Sequence, residues 1–163
     1  MKKKYKLPHK RRKIKKTDYK LRLSLLKSRK YRLVIRKSNS YINGQIVKYE
    51  KEGDKTIISV NSKVLKKMGW KNSCGNLPAA YLTGLMLGKK ARENKIEEAV
   101  LDLGLQTSTK GNRVYALLKG ALDSDLKVNY SKDILPSDER IKGKHISENI
   151  VNDFESLKNK IEK

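Results

Sequence analysis

The chain has 163 residues, with 40 Lys or Arg against 17 Asp or Glu, a net charge of +23 and a pI near 10.1. That balance points to a polyanionic partner, nucleic acid before an anionic membrane surface, and the single cysteine, Cys74, excludes an intramolecular disulfide or a multi-cysteine zinc site. The basic start runs into more charge and not into an apolar stretch, and Leu77 to Gly88 is too short for a bilayer, which needs roughly 20 residues; a soluble, intracellular protein with no membrane partner is expected.

The charge is uneven. Met1 to Lys37 holds 18 Lys or Arg and one acid, Asp18, whereas residues 38–163 hold 22 basic and 16 acidic side chains. Residues 1–16, with Pro8 and little periodicity, read as an arm that stays disordered until a polyanion orders it. Its Arg11, Arg12, Lys13, Lys15 and Lys16 are dense enough to neutralise phosphates and release counterions, and Tyr5 and Tyr19 are interleaved aromatics suited to stacking. Thr17 and Asp18 offer an N-cap for a helix over about 17–29. Leu21, Leu25 and Leu26 form its apolar side, while Lys20, Arg22, Lys27 and Arg29 stay outside, placed for a phosphate backbone.

Alternation of Tyr31, Leu33 and Ile35 with Arg32, Val34 and Arg36 predicts a strand over 31–37 with one buried face, Arg32 and Arg36 pointing together from the other. A second strand over 41–49 and a third over 56–60, joined by Lys51-Glu52-Gly53-Asp54, complete an antiparallel meander. A short helix over 62–68 ends at Gly69, and the loop Trp70 to Asn76 leads to Pro78 and a helix over 78–93. Ala80, Gly84 and Gly88 would let that helix lie close to a sheet. A strand over 99–103, a polar loop over 105–111 and a helix over 113–122 follow. Residues 131–145 read mostly as loop. Ile146, Ile150, Phe154, Leu157 and Ile161 predict an amphipathic C-terminal helix. The fold class is therefore α/β, a mixed sheet with a β-β-β-α-β-α core, organised as an arm (1–16), a domain (17–146) and a C-terminal helix (147–163), without internal repeats.

Enzyme signals are weak. His9 and His145 lie at opposite ends without metal-ligand spacing, and Cys74 lacks a triad context. Asp102 with Glu97 and Glu98 is the one carboxylate set suggesting metal-assisted phosphodiester cleavage, but no other element adds an acid to it. No cofactor site is read. The loop Thr107 to Arg113 joins a strand to a helix and could meet an RNA phosphate, through Lys110 and Arg113 among others; it lacks the Walker spacing, and Asn112 also suits an N-cap. Trp70, beside Lys71, either stacks on an unpaired base or covers the edge of the core. Composition alone leaves a DNA-compacting architectural protein as the competing class.

Three runs take the reading further: TDYKLRLSLLKSRKYRLVIRKSNSYINGQIV (17–47), GWKNSCGNLPAAYLTGLMLGKKA (69–91) and AVLDLGLQTSTKGNRVYALLKGALD (99–123). With PSDERIKGKHI (136–146), the chain resembles the archaeal-type large-subunit ribosomal protein eighteen family, whose eukaryotic relative is ribosomal protein L-five. The resemblance covers about 5–146 in register. It implies a ribonuclease-H-like fold of the translation-machinery kind without catalytic acids. It implies binding of 5S rRNA and its attachment to the large-subunit rRNA at the central protuberance of a cytoplasmic ribosome, beside neighbouring large-subunit proteins. It matches Arg11, Arg12, Tyr19, Arg22 and Arg29 to the family's basic N-terminus, and Arg32, Arg36, Lys37, Ser38 and Asn39 to its RLV-x-RKSN signature. Gly69-Trp70-Lys71 and Thr109-Lys110-Gly111 correspond to two family loops. The tail 147–163 has no counterpart. Fold likeness to nucleases carries no activity.

Overall fold

A computed structural model describes residues 7–162. Strands β1 (Tyr31–Lys37), β2 (Ile42–Glu50) and β3 (Gly53–Asn61) form the antiparallel meander that their alternation predicts. Strand β4 (Glu98–Asp102) runs parallel to β1 on its other side, and β5 (Lys127–Val128) runs parallel to β4. The sheet order is β3-β2-β1-β4-β5, a mixed sheet and an α/β fold. Two residues are too few to show a period, so β5 is not legible in the sequence.

Register builds the core. Leu33 lies opposite Ile46, which lies opposite Ile58; Ile35 lies opposite Gly44, which lies opposite Val60. Side chains alternate along a strand, so these residues share one face, and all are buried. Helices α4 (Leu77–Glu93) and α5 (Arg113–Asp123) cover that face; a single helical turn, α3 (Val64–Lys67), precedes them and ends beside Gly69 at φ +104°. Asn76 caps α4, its side chain accepting from the Ala79 N–H at 2.9 Å, and Pro78 sits in the first turn.

Gly84 and Gly88 of α4 face another helix and not the sheet, a correction to the sequence expectation. A Cβ at Gly84 would collide with the Leu117 carbonyl oxygen, and one at Gly120 with the Tyr81 carbonyl oxygen. At Gly88 it would lie 2.5 Å from the Ser124 Cβ. Glycines from both partners let the backbones of α4 and α5 touch, a relation that one helix's spacing does not reveal.

Residues 131–145 are more ordered than expected. They hold a 3₁₀ turn (Lys132–Ile134) and α6 (Asp138–Lys142), ended by Gly143 at φ +84°. The C-terminal helix α7 (Glu148–Glu162) buries Ile150, Phe154, Leu157 and Ile161 in the common core, whereas Ile146 lies outside the helix and exposed. Phe154 meets Tyr81 with ring centroids 5.6 Å apart. Within the arm, residues 10–13 form one helical turn, α1 (Lys10–Lys13); Tyr5 and residues 1–6 lie outside the described residues. Among the described residues no helix is long and apolar enough to cross a membrane.

Candidate nucleic-acid interface

Helix α2 (Tyr19–Lys27) begins as its sequence predicts: the Asp18 carboxylate accepts from the Lys20 and Leu21 N–H groups at 2.9 and 3.1 Å. It ends two residues before the expected 29, at Ser28 and then Arg29, whose φ of +56° turns the chain back into β1. The helix lies on the sheet face opposite α4 and α5 and buries no residue completely.

Charge holds it there. Arg22 donates to both oxygens of Asp54, at 2.7 and 2.9 Å. Arg32 donates from Nη2 to Asp54 Oδ2 at 2.6 Å and from Nη1 to Asp102 Oδ2 at 2.9 Å. Arg36 donates from Nη2 to Asp102 Oδ1 at 3.0 Å and from Nη1 to the Asp102 carbonyl at 2.7 Å. The result is one ladder, Arg22–Asp54–Arg32–Asp102–Arg36, tying α2 to β3, β1 and β4. Partial burial pulls the Asp54 carboxyl upward, but the hydrogen bonds from Arg22 and Arg32 outweigh it and leave the group below its ordinary range. The same bond from Arg22 raises that guanidinium further.

Two expectations change here. Arg32 is on the outward strand face as predicted, yet it is only 3% exposed, because the ladder and α2 roof it over. Its guanidinium has no open side for a phosphate; it supports Asp54 and Asp102. The nuclease reading of Asp102 also fails on geometry: both oxygens accept from arginines, and Oδ1 also accepts from the Gly104 N–H at 2.9 Å. Glu98, at the opposite end of β4, pairs with Lys30, and among the described residues no three His, Cys, Asp or Glu side chains gather as a metal site.

Around the start of α2 the arm's cations collect. A crevice of about 540 Å³ between arm, helix and sheet is lined by Arg11, Lys16, Tyr19, Arg22 and Arg36 among others. Arg11 donates from Nε to Thr17 Oγ1 at 2.9 Å, and the Tyr19 ring lies 5.2 Å from that of His9. Arg11, Arg12, Lys13, Lys15 and Lys16 are all exposed, and none has a carboxylate partner among the described residues.

The remaining sequence candidates meet at the same end of the sheet. Lys37, Ser38 and Asn39 form the β1–β2 turn, where Ser38 Oγ is used internally, bonding Tyr41. Gly75 packs on that turn so closely that a Cβ would lie 2.7 Å from the Asn39 carbonyl oxygen. Arg113 donates from Nη1 to the Gly75 carbonyl at 2.6 Å, joining the start of α5 to the loop before α4. Lys71 and Lys110 stay exposed beside these anchors. Trp70 resolves to the core: it is 3% exposed, with Nε1–H donating to the Ser73 carbonyl at 3.0 Å. It has no ring face free for a base. Asn112 stands at the N-cap position of α5, but its side chain donates to Thr109 Oγ1 at 3.1 Å and makes no capping bond. The Gly111 N–H is likewise taken, by the Ile134 carbonyl at 2.9 Å.

Sequence reasoning missed Asp54, which reads only as a turn residue; Glu50 and Glu52 lie in the same hairpin, so nothing local sets it apart. It also passed over Lys48 and Tyr49, an aromatic beside a lysine next to the turn between β2 and β3.

A family model described as "Ribosomal large subunit proteins 60S L5, and 50S L18" matches residues 3–98 and 90–131, spanning the arm, the whole sheet and α4 and α5. The chain belongs to this family, and is a structural component of the large ribosomal subunit and not an enzyme.

Proposed function

We propose that this chain binds 5S rRNA and attaches it to the large-subunit rRNA at the central protuberance, among neighbouring large-subunit proteins on cytoplasmic ribosomes. The observation that carries the reading is the placement of the unpaired cations. Arg11, Arg12, Lys13, Lys15 and Lys16 lie exposed, without carboxylate partners among the described residues, beside Tyr19, Arg22 and Arg36. Structured RNA is recognised through phosphates, shape and unstacked bases, and such a surface offers the first of these in quantity. Lys37, Asn39, Lys71 and Lys110 extend it across the sheet end, Arg29 lies at the far end of α2, and Ser38 and Arg113 shape the loops. Arg32 and Trp70 act from beneath, holding the elements in place.

The test is a gel-shift titration of 5S rRNA at two salt concentrations, with duplex DNA and an unrelated folded RNA as competitors. Binding that survives both competitors is expected. Removing residues 1–16 should flatten the salt dependence, by roughly 0.7–0.9 in log–log slope for each phosphate that is no longer neutralised. Equal loss to every competitor would leave a general nucleic-acid-binding polycation.

A further inference from the structure

A second concavity lies toward the other end of α2, beside the start of β1. It measures about 760 Å³, and its apolar floor comprises Leu23 and Leu26 of α2, Tyr31 at the start of β1 and Tyr49 in β2. Leu23 is 59% and Tyr49 52% exposed, more surface than a packed core leaves open. Lys27, Arg29, Lys48 and Lys51 rim the floor, and none has a carboxylate partner among the described residues. Lys30, a fifth cation there, is paired with Glu98. Among the described residues no acid lines the concavity; Glu50 and Glu52 of the β2–β3 hairpin lie outside it.

A flat aromatic and aliphatic floor inside a ring of cations complements a ligand with an apolar face and anionic edges. We propose that this concavity takes one unpaired nucleotide of the bound RNA, its base against Tyr49 and Leu26 and its flanking phosphates on Lys27, Arg29, Lys48 and Lys51. The inference rests on the RNA-binding reading above and adds a contact outside the arm. Two features favour RNA over an acidic protein surface. The concavity continues the basic helix along which the RNA lies, and an exposed tyrosine with a lysine neighbour, Tyr49 beside Lys48, is a stacking platform for any base. Helix α2 would then be bridged by one RNA from the arm to the hairpin.

The experiment measures 5S rRNA binding by the full chain and by Tyr49→Ala, Tyr49→Phe and Lys48→Ala, with ultraviolet cross-linking and mass spectrometry of the wild-type complex. Tyr49→Ala should weaken binding about 5- to 100-fold, the loss of one stacked base, while Tyr49→Phe holds affinity. The salt slope should stay unchanged in Tyr49→Ala and fall in Lys48→Ala. A nucleotide adduct is expected on Tyr31 or Tyr49. If the wild type binds 5S rRNA selectively while Tyr49→Ala binds equally well and neither tyrosine cross-links, the nucleotide site is overturned and the proposed function stands. If the wild type shows no preference for 5S rRNA, both are overturned.

Discussion

Arg32 and Asp102 meet on the outer face of the sheet, Nη1 to Oδ2 at 2.9 Å, both side chains almost without solvent. Breaking a buried ion pair from one side strands the other charge, which typically costs about 3–5 kcal/mol. Arg36 still reaches Asp102, so the lower end applies. Arg32→Met, which keeps the volume and removes the charge, should lower unfolding stability by about 3 kcal/mol in urea titration. A loss below about 1 kcal/mol would mean that Arg36 alone satisfies the carboxylate.

The ladder also sets the acid limit. Asp54 titrates below its ordinary 3.8 in the folded chain because Arg22 and Arg32 overcome the effect of burial. A carboxyl with a depressed folded pKa contributes stability above its unfolded pKa and loses it as pH falls through the folded value. Melting temperature should therefore drop as pH falls from about 5 toward 2, and Asp54→Asn should flatten that drop. Glu98 and Asp138 are shifted the same way by Lys30 and Lys119, but they are solvent-screened and should add little. Superimposable acid limbs for wild type and Asp54→Asn would remove the ladder as their cause.

The alkaline side depends on Tyr81. Burial, then its hydrogen bond to Asp123 at 2.6 Å, raises the phenol far above its ordinary 10.0. Above pH 10 the unfolded chain ionises this group while the folded chain does not, so stability falls as pH rises. Tyr81→Phe should lose that extra slope above pH 10 while losing about 1 kcal/mol at neutral pH with its hydrogen bond. An unchanged alkaline slope in chemical denaturation would contradict the assignment.

What the sequence made legible follows from how local each signal is. The Asp18 cap, Pro78 in the first turn of α4, the alternation of β1 and the apolar spacing of α7 are carried by residues within a few positions of one another, and all appear in the structure. Arg32 is the counterexample. Period-2 reading puts it outside, and only Asp54 and Asp102, 22 and 70 residues away, make its burial possible. Trp70 reads two ways because a loop tryptophan's surroundings are tertiary. The cations of the arm were legible as a class, since density needs no fold; their meeting with Arg36 and the outer face was not.

Gly84 makes the same point in the core. Its spacing with Ala80 and Gly88 indicated close packing on the sheet; the partner is instead α5, whose Leu117 carbonyl occupies the space a Cβ would need. That obstacle is backbone and cannot rotate away. Gly84→Ala should cost about 3 kcal/mol, the upper range for overpacking. Gly44→Ala should cost less: its nearest obstacle, at 2.9 Å, is the Leu87 Cδ1 methyl, which can move. Urea midpoints for the two variants check the order, and equal losses would mean that α4 and α5 separate easily.

The most discriminating variant for function removes a negative charge. By simple electrostatics, Asp54→Asn makes the chain more basic and should strengthen RNA binding. The ladder argues the reverse. Asp54 holds Arg22, and through it α2, against the sheet, and α2 buries none of its residues fully, Leu25 and Leu26 only in part, so little else replaces that hold. With the anchor weakened, the helix and the arm before it lose a fixed origin, and ordering them becomes part of the cost of binding. Asp54→Asn should therefore weaken 5S rRNA binding by about 3- to 10-fold while leaving the salt slope close to wild type, since no phosphate-facing cation has been removed. Conversely, Asp18→Asn retains a capping side chain and, lying outside the ladder, should follow the simple rule and bind slightly more tightly. Tighter binding by Asp54→Asn as well would show that RNA, and not the protein's own ion pairs, positions the helix.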